Sequence, residues 1–464
     1  MPFVNTMRGS TSVSFKKKSG GPRAPGAPTI GTATKTGTTT ATVTYTASVD
    51  DGGSVITSYT ATSSPAGGTG TISQAGSGTI TVTGLTANTS YTFTVVATNA
   101  IGNSPSSAES NSITTDPLAL LFLWGNNNYG QLGNGTTTPR SSPVQLGSAT
   151  NWMRVGPGGN MAGVVNKSNT LYVWGSNTFG QLGIGSSGFN QSTPTVQGSA
   201  TFIQGGNYVN SKINGSNLYT CGRNYGGQLG TGNLTYQSSF AFIGSGFAKL
   251  SSSRWSNSNI AVKTDGTLWT WGNNGAGQLG VGDTVSRSSP VQVGALTNWA
   301  KPQSQGGFMH CIKTDGSLWT WGQNTDGQLG INSTSSRNSP VQVGFSYNWR
   351  YISAGNNRVW ATKTDGTLWA WGNNGSGFLG IGGNTYRSSP VQVGALTNWL
   401  RPSALATGAM CLKTDGTLWS WGSNNYGQLG DNTGQYKTSP IQVGSLTAWT
   451  DIGCGSTFAM AIRS

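Results

Sequence analysis

The chain has 464 residues, 72 of them glycine, with 8% charged and a formal net charge of +14. So few charges exclude long helices and coiled coils, which need Glu, Lys, Arg and Ala at 3.5- or 3.6-residue spacing. Counted with glycine, the apolar residues still suffice for a core. Four scattered cysteines without a CxxC pair argue against a disulfide framework or a structural zinc site, and the longest apolar run, Leu118–Trp124, is too short to cross a bilayer.

In chain order, residues 1–23 come first. They carry Arg8, Lys16, Lys17, Lys18 and Arg23 with no acid, and lack the apolar stretch of a secretory signal. They read as a flexible basic arm and a candidate anchor. Residues 24–116 carry a net charge of −3 and alternate in TATVTYTAS, SYTATSSP, GTITVTGL and SYTFTVVATN, with Gly, Pro and Asn turns between. That pattern predicts a small β-sandwich.

From residue 117 onward the sequence repeats itself, and repetition outweighs local propensity. WGNNNYGQLG begins at Trp124 and recurs from Trp174, Cys221, Trp271, Trp321, Trp371 and Trp421, at spacings of 50, 47, 50, 50, 50 and 50 residues. The later units read KTDGTLWTWG, a glycine-rich turn, a polar stretch, SSPVQVG, then NW. An Asp-Gly turn followed by an alternating strand, in units of four short strands, predicts the blades of a β-propeller. The chain ends in WTDIGCGSTFAMAIRS, half a unit, and the repeats open with LALLFLWG, the strand that half lacks. The fold class is therefore all-β: a seven-bladed propeller over 117–464, closed by its two ends, preceded by a β-sandwich.

The repeats resemble the regulator of chromosome condensation family, whose signature includes DGxLWxWGxNxxGQLG. Residues 84–107, GLTANTSYTFTVVATNAIGNSPSS, resemble the late strands of a fibronectin type III domain. That resemblance implies that Tyr91 is the corner tyrosine, Leu85 a core anchor, and Tyr59 the occupant of the space of a missing tryptophan. Family members acting in guanine-nucleotide exchange place a histidine seven residues before the DG-turn aspartate. Here Ser258, Phe308, Arg358 and Gly408 stand there, so that activity is not carried over.

Three sets of side chains are candidate sites. Lys263, Lys313, Lys363 and Lys413 precede the TDG turns, and Arg287, Arg337 and Arg387 precede SP. Repeated around a ring, they would attract polyanions, or simply be solvated charges. Tyr129, Phe179, Tyr225 and Tyr426 vary in the WG-to-QLG turns and are loop candidates for a ligand. The paired tryptophans, Trp269 with Trp271 for example, read as packing between blades. Enzymatic chemistry has little to work with. His310 is the single histidine, and the adjacent Cys311 on an alternating strand points to the opposite face. No catalytic residues, cofactor or metal are expected.

The composition, joined to a fibronectin-like module, resembles bacterial exported adhesins and phage virion proteins, and MPFVNTMRGS resembles the start of tailed-phage structural proteins. With no secretion signal, the expectation is a non-enzymatic virion structural, decoration or fibre protein. Residues 1–23 would bind capsid or tail proteins, and the propeller would contact the virion or a host-surface glycan or envelope component. Multiple copies in an assembly are expected, without membrane insertion or nucleic-acid binding. The alternatives are a bacterial surface or secreted adhesin or inhibitor, and, more remotely, an intracellular nucleotide-exchange or chromatin-binding factor. Residues 184–260, where the repeat departs from its pattern, mark either a functional patch or drift.

Overall fold

A computed structural model describes residues 21–254 and 257–464. The chain divides into two units, Met1–Leu118 and Ala119–Ser464. The anchor candidates Arg8, Lys16, Lys17 and Lys18 lie outside the described residues. Arg23 belongs to the first unit: its guanidinium pairs with Asp50, and its carbonyl accepts from Asn99 Nδ2 at 2.7 Å.

In the first unit, the sheet Thr29–Lys35, Ala41–Thr46 and Gly78–Val82 faces a second sheet in the order Thr69–Ile72, Ile56–Ser64, Ser90–Asn99 and Ile113–Thr114. Alternation decides what is buried. In Ala41–Thr46 the residues Ala41, Val43 and Tyr45 point inward and the last threonine outward. They meet Tyr59, Ile80, Leu85, Phe93 and Val95 in one core. Tyr91 Oη accepts from Thr86 N at 2.9 Å, and Tyr59 is fully buried with its ring 4.3 Å from that of Tyr45.

The second unit contains seven four-stranded antiparallel sheets. Six are contiguous in sequence; a representative one runs Trp299–Gln305, Phe308–Lys313, Leu318–Gly322 and Arg337–Gln342. The seventh takes Trp449–Cys454 and Phe458–Arg463 from one end of the unit and Leu120–Gly125 and Arg140–Gln145 from the other, with Met460 opposite Leu123. The first strand of each sheet packs against the first strand of the next, and Trp449–Cys454 against Trp152–Val155.

The motif residues hold sheet to sheet. Trp321 Nε1 donates to the Gln278 carbonyl in the QLG turn of the preceding sheet at 2.8 Å. Trp124, Trp174, Trp271 and Trp371 do the same to Gln428, Gln131, Gln228 and Gln328 at 2.9–3.0 Å. Cys221, which replaces the tryptophan once, donates Sγ–H weakly to the Gln181 carbonyl at 3.5 Å. The buried motif asparagine fixes the turn beneath. Asn324 Oδ1 accepts from Leu329 N, and its Nδ2 donates to the Ser333 and Ser335 carbonyls. Glycine ends the turn because Gly280 has φ +72° and a Cβ there would lie 2.6 Å from Trp321 Nε1.

Gly294 has a similar φ of +61° but open space around it. Gly294→Ala should therefore cost only the left-handed backbone penalty, about 1–2 kcal/mol. Gly280→Ala should cost about 1–3 kcal/mol more through the clash, a difference read directly from paired urea unfolding curves.

Candidate functional site

The pairing registers place the candidate residues at two ends of the second unit. The WG-to-QLG turns follow the third strand of each sheet, and the TDG turns precede it, so they lie at opposite ends.

At the TDG end the recurring lysines lie on tryptophan faces. Lys263, Lys313, Lys363 and Lys413 place Nζ 4.1, 3.9, 4.3 and 3.8 Å from the ring centres of Trp269, Trp319, Trp369 and Trp419. Lys313, Lys363 and Lys413 also face Trp299, Trp349 and Trp399. Burial pulls the ammonium groups of Lys313, Lys363 and Lys413 below the ordinary lysine value. The turn beside each lysine is a fixed network. Asp265 Oδ1 accepts from Thr267 N at 2.9 Å and Thr267 Oγ1 at 2.6 Å, and Trp269 Nε1 donates to that hydroxyl. The same set recurs at Asp315, Asp365 and Asp415. KTDGTLW is thus one unit of cation, turn and ring.

The arginines before SP stand apart from one another. Arg287 pairs with Asp283 at 2.6 Å, Arg337 donates to the Ser336 carbonyl at 3.2 Å, and Arg387 is exposed. Arg337 and Lys363 meet in a groove of about 470 Å³ with Trp349 and Trp369. Arg287 lines an equivalent groove of about 590 Å³ with Trp299 and Trp319.

At the QLG end the loop aromatics fall into two groups. Tyr129 and Tyr426 are exposed. Phe179 and Tyr225 are brought together by the divergent repeats. The Arg223 guanidinium lies 4.1 Å from the Tyr225 ring centre, 5.1 Å from Phe179 and 5.2 Å from Tyr208. Phe179 meets Tyr208 and Tyr236 edge-on at 5.0 and 5.9 Å, and Asn257 Nδ2 donates to Tyr225 Oη at 2.7 Å. Tyr225 is 48% exposed, Tyr236 44% and Leu234 58%. Sequence reasoning named Phe179 and Tyr225 but missed Arg223, Tyr208 and Tyr236. The signal was the WGSN-to-CGRN change, which introduces the arginine where the tryptophan is lost.

The first strands line a cavity of about 540 Å³ with Arg154, Lys249, Arg254, Tyr351, Arg401 and Asp451 on its wall. None of these residues stands out in the sequence, because they occupy the variable segment between NW and the next TDG.

His310 is fully buried, edge-on to Phe308 and Trp371. Burial holds its imidazole down at about 3, so it stays neutral at physiological pH, and burial pushes the Cys311 thiol up to about 12. Among the described residues no three His, Cys, Asp or Glu side chains group to hold a metal. Among the same residues no helix is long and apolar enough to cross a membrane.

A model of the regulator of chromosome condensation (RCC1) repeat matches residues 120–165, 168–204, 265–308, 315–361, 365–411 and 415–462, more than half of the chain. The chain belongs to the RCC1 repeat family. A fibronectin type III domain model matches residues 26–113, so the repeats are preceded by a fibronectin-like sandwich. Human WBSCR16 is similar in structure at 20% identity, with a TM-score of 0.67 over 74% of this chain and 100% of that one. Prp20p from Saccharomyces cerevisiae, described for its binding to Gsp1p and histones, matches at 17% identity with a TM-score of 0.67, over 74% of this chain and 91% of that one. Yeast RCC1 (Prp20) bound by Kap60 matches at the same identity and TM-score, covering 88% of that chain. No curated protein matches the chain. The expectation of a non-enzymatic protein agrees with this family of regulators.

These comparisons overturn the virion reading. They align the repeats with RCC1-type proteins, among them one described for its binding to Gsp1p and histones. The capsid or tail partners, the host-surface ligand, the multi-copy assembly and the virion or bacterial-surface location fall with it. The physical reason is that the composition reports the repeat itself. Asn is used inside the turns, Ser and Thr beside the Asp-Gly corners, Gly at positive φ and Trp between sheets.

Asp265, Asp315, Asp365 and Asp415 are held below the ordinary carboxylate value, chiefly by the Thr or Ser hydroxyl beside each. Their stabilisation is fully present above the unfolded value of about 4 and is lost as pH falls through the lower folded values. Replacing all four by Asn should flatten the fall in stability between pH 5 and pH 3, measured as urea midpoints across that range.

Proposed function

We propose that residues 117–464 form a seven-bladed propeller closed by pairing of its two ends, that residues 24–116 are a separate fibronectin type III module, and that the whole is a non-enzymatic RCC1-type regulator binding a protein partner. Seven four-stranded sheets, the unbroken ring of first-strand contacts and the pairing of Phe458–Arg463 with Leu120–Gly125 support the architecture.

The binding reading rests on one observation: the aromatic cluster around Arg223 at the QLG end. A guanidinium among Phe179, Tyr208 and Tyr225, with Tyr225, Tyr236 and Leu234 exposed, has the composition of an interface centre, where Arg and Tyr are enriched. It arises where the repeat breaks its pattern, in the stretch 184–260 and at its border, which favours a functional patch over drift. Prp20p binds Gsp1p and histones, so a small GTPase and a histone are the partner classes to try first. Nucleotide exchange is left out of the reading, because Ser258, Phe308, Arg358 and Gly408 occupy the exchange-linked histidine positions and are all buried at the start of their strands.

Biolayer interferometry of the full chain against Gsp1p and against core histones tests this. One of them should bind, and Arg223→Glu and Tyr225→Ala should each weaken that binding about tenfold or more, as expected for an interface anchor. Absence of binding to both, or variants that bind as tightly as the parent chain, would overturn the proposal.

A further inference from the structure

The cavity lined by the first strands opens at the end opposite the Arg223 cluster, and among the described residues its wall carries more cations than carboxylates to pair with them. Six of the seven first strands share one register there. Arg154, Lys249, Lys301, Tyr351, Arg401 and Asp451 pair with Val165, Val262, Ile312, Thr362, Leu412 and Ile462, at the end of the sheets where the TDG turns lie in four of them. Each follows a one-residue shift of register, and all but Lys301 line the cavity. Four of the six are cations and one is an acid. Asp451 is held by Arg401 and accepts from Val155 N at 2.9 Å. No carboxylate is paired with Arg154, Lys249 or Lys301 among the described residues.

The remaining neighbours of these groups are rings, carbonyls and further cations. Arg154 lies over Phe202 at 5.2 Å, and Lys301 over Tyr351 at 4.6 Å, with its Nζ donating to the Arg350 carbonyl. Arg350 stacks on the same Tyr351 ring at 5.5 Å. Burial first, then the like charges of Arg350 and Lys249, pull the Lys301 ammonium below its ordinary value. Deeper on the axis, Arg254 crosses from its own sheet to donate to the carbonyls of Ala404, Cys454 and Gly455. It thereby closes the floor with a fifth positive charge. Nearby, Ser353 and Ser403 hydroxyls accept from Ala404 N and Cys454 N of the adjacent first strands and keep the wall rigid.

We propose that this funnel is a binding site for a small polyanion carrying two or more phosphate groups. Like charges gathered around a low-dielectric concavity raise the local concentration of anions, and Arg and Lys are the side chains that take phosphate oxygens. A volume of about 540 Å³ lies within the range of small-ligand sites. The cations surround the axis rather than lining a track, so a compact anion with several phosphates reaches more of them than an extended chain does. The Arg254 floor blocks threading of a polypeptide through the ring. Free polyphosphate and the phosphate tail of a nucleotide share this chemistry.

Isothermal titration of the full chain with tripolyphosphate, ATP and a heptaglutamate peptide, at low and high salt, tests the site. Tripolyphosphate should bind once per chain and weaken with salt. Lys249→Glu and Arg154→Glu, both on the cavity wall, should each reduce its affinity at least about tenfold, while Arg387→Glu, the same charge change on an outer strand, should not. If ATP binds more tightly than tripolyphosphate with the same dependence on Lys249, the source is a nucleotide; equal or weaker binding assigns free polyphosphate. No saturable binding, an equal loss in Arg387→Glu, or tighter binding of heptaglutamate would overturn the proposal.

Discussion

The second unit depends on one hydrogen bond made repeatedly, from an indole N–H to the main-chain carbonyl of the glutamine in the preceding QLG turn. A single sheet of this size has too little core to stand alone. The indole adds a large apolar ring between two sheets and fixes its orientation through a polar edge. Everything else in the motif serves that contact. Asparagine ties down the turn that presents the carbonyl, glycine ends the turn without touching the ring, and leucine fills the space beneath.

The same dependence separates what can vary from what cannot. Where Phe378 replaces the glutamine, Trp421 Nε1 has no hydrogen-bond partner, yet the ring stays fully buried against Trp360 and Trp399. Where Cys221 replaces the tryptophan, the donor survives in weaker form and Phe240 moves into the freed space beside Gly183. That substitution lies between sheets. Two residues on, Arg223 gathers Phe179, Tyr208 and Tyr225.

Much of this was legible in the sequence because the constraint repeats. Seven occurrences of Gly, Asn, Gly and Leu at fixed offsets identify the turn, and alternation in TATVTYTAS identifies the sandwich. The TDG lysines were legible as a set, but their role was not. Sequence shows that Lys313 is two residues from Asp315 and six from Trp319; only the folded turn shows its ammonium over the indole. The axial residues were invisible for a different reason. A register shift in six of the seven first strands helps decide which side chains line the cavity, and in the sequence alone WAKP, WRYI and WLRP are three unrelated strings. The virion reading failed because a composition required by turns and sheet contacts was taken as a sign of where the protein works.

The seventh sheet joins strands that are more than 300 residues apart in the chain, with Leu121 opposite Ile462. During synthesis, at roughly 5–20 residues per second, Leu120–Gly125 leaves the ribosome many seconds before its partner exists. For that interval it is an apolar strand, LLFLWG, with an open edge, the kind of segment that seeks other strands. A strand that ends paired on both sides therefore passes through a stage with a particularly sticky edge. Newly made chains of this protein are most exposed to misassociation just before the last sixteen residues emerge.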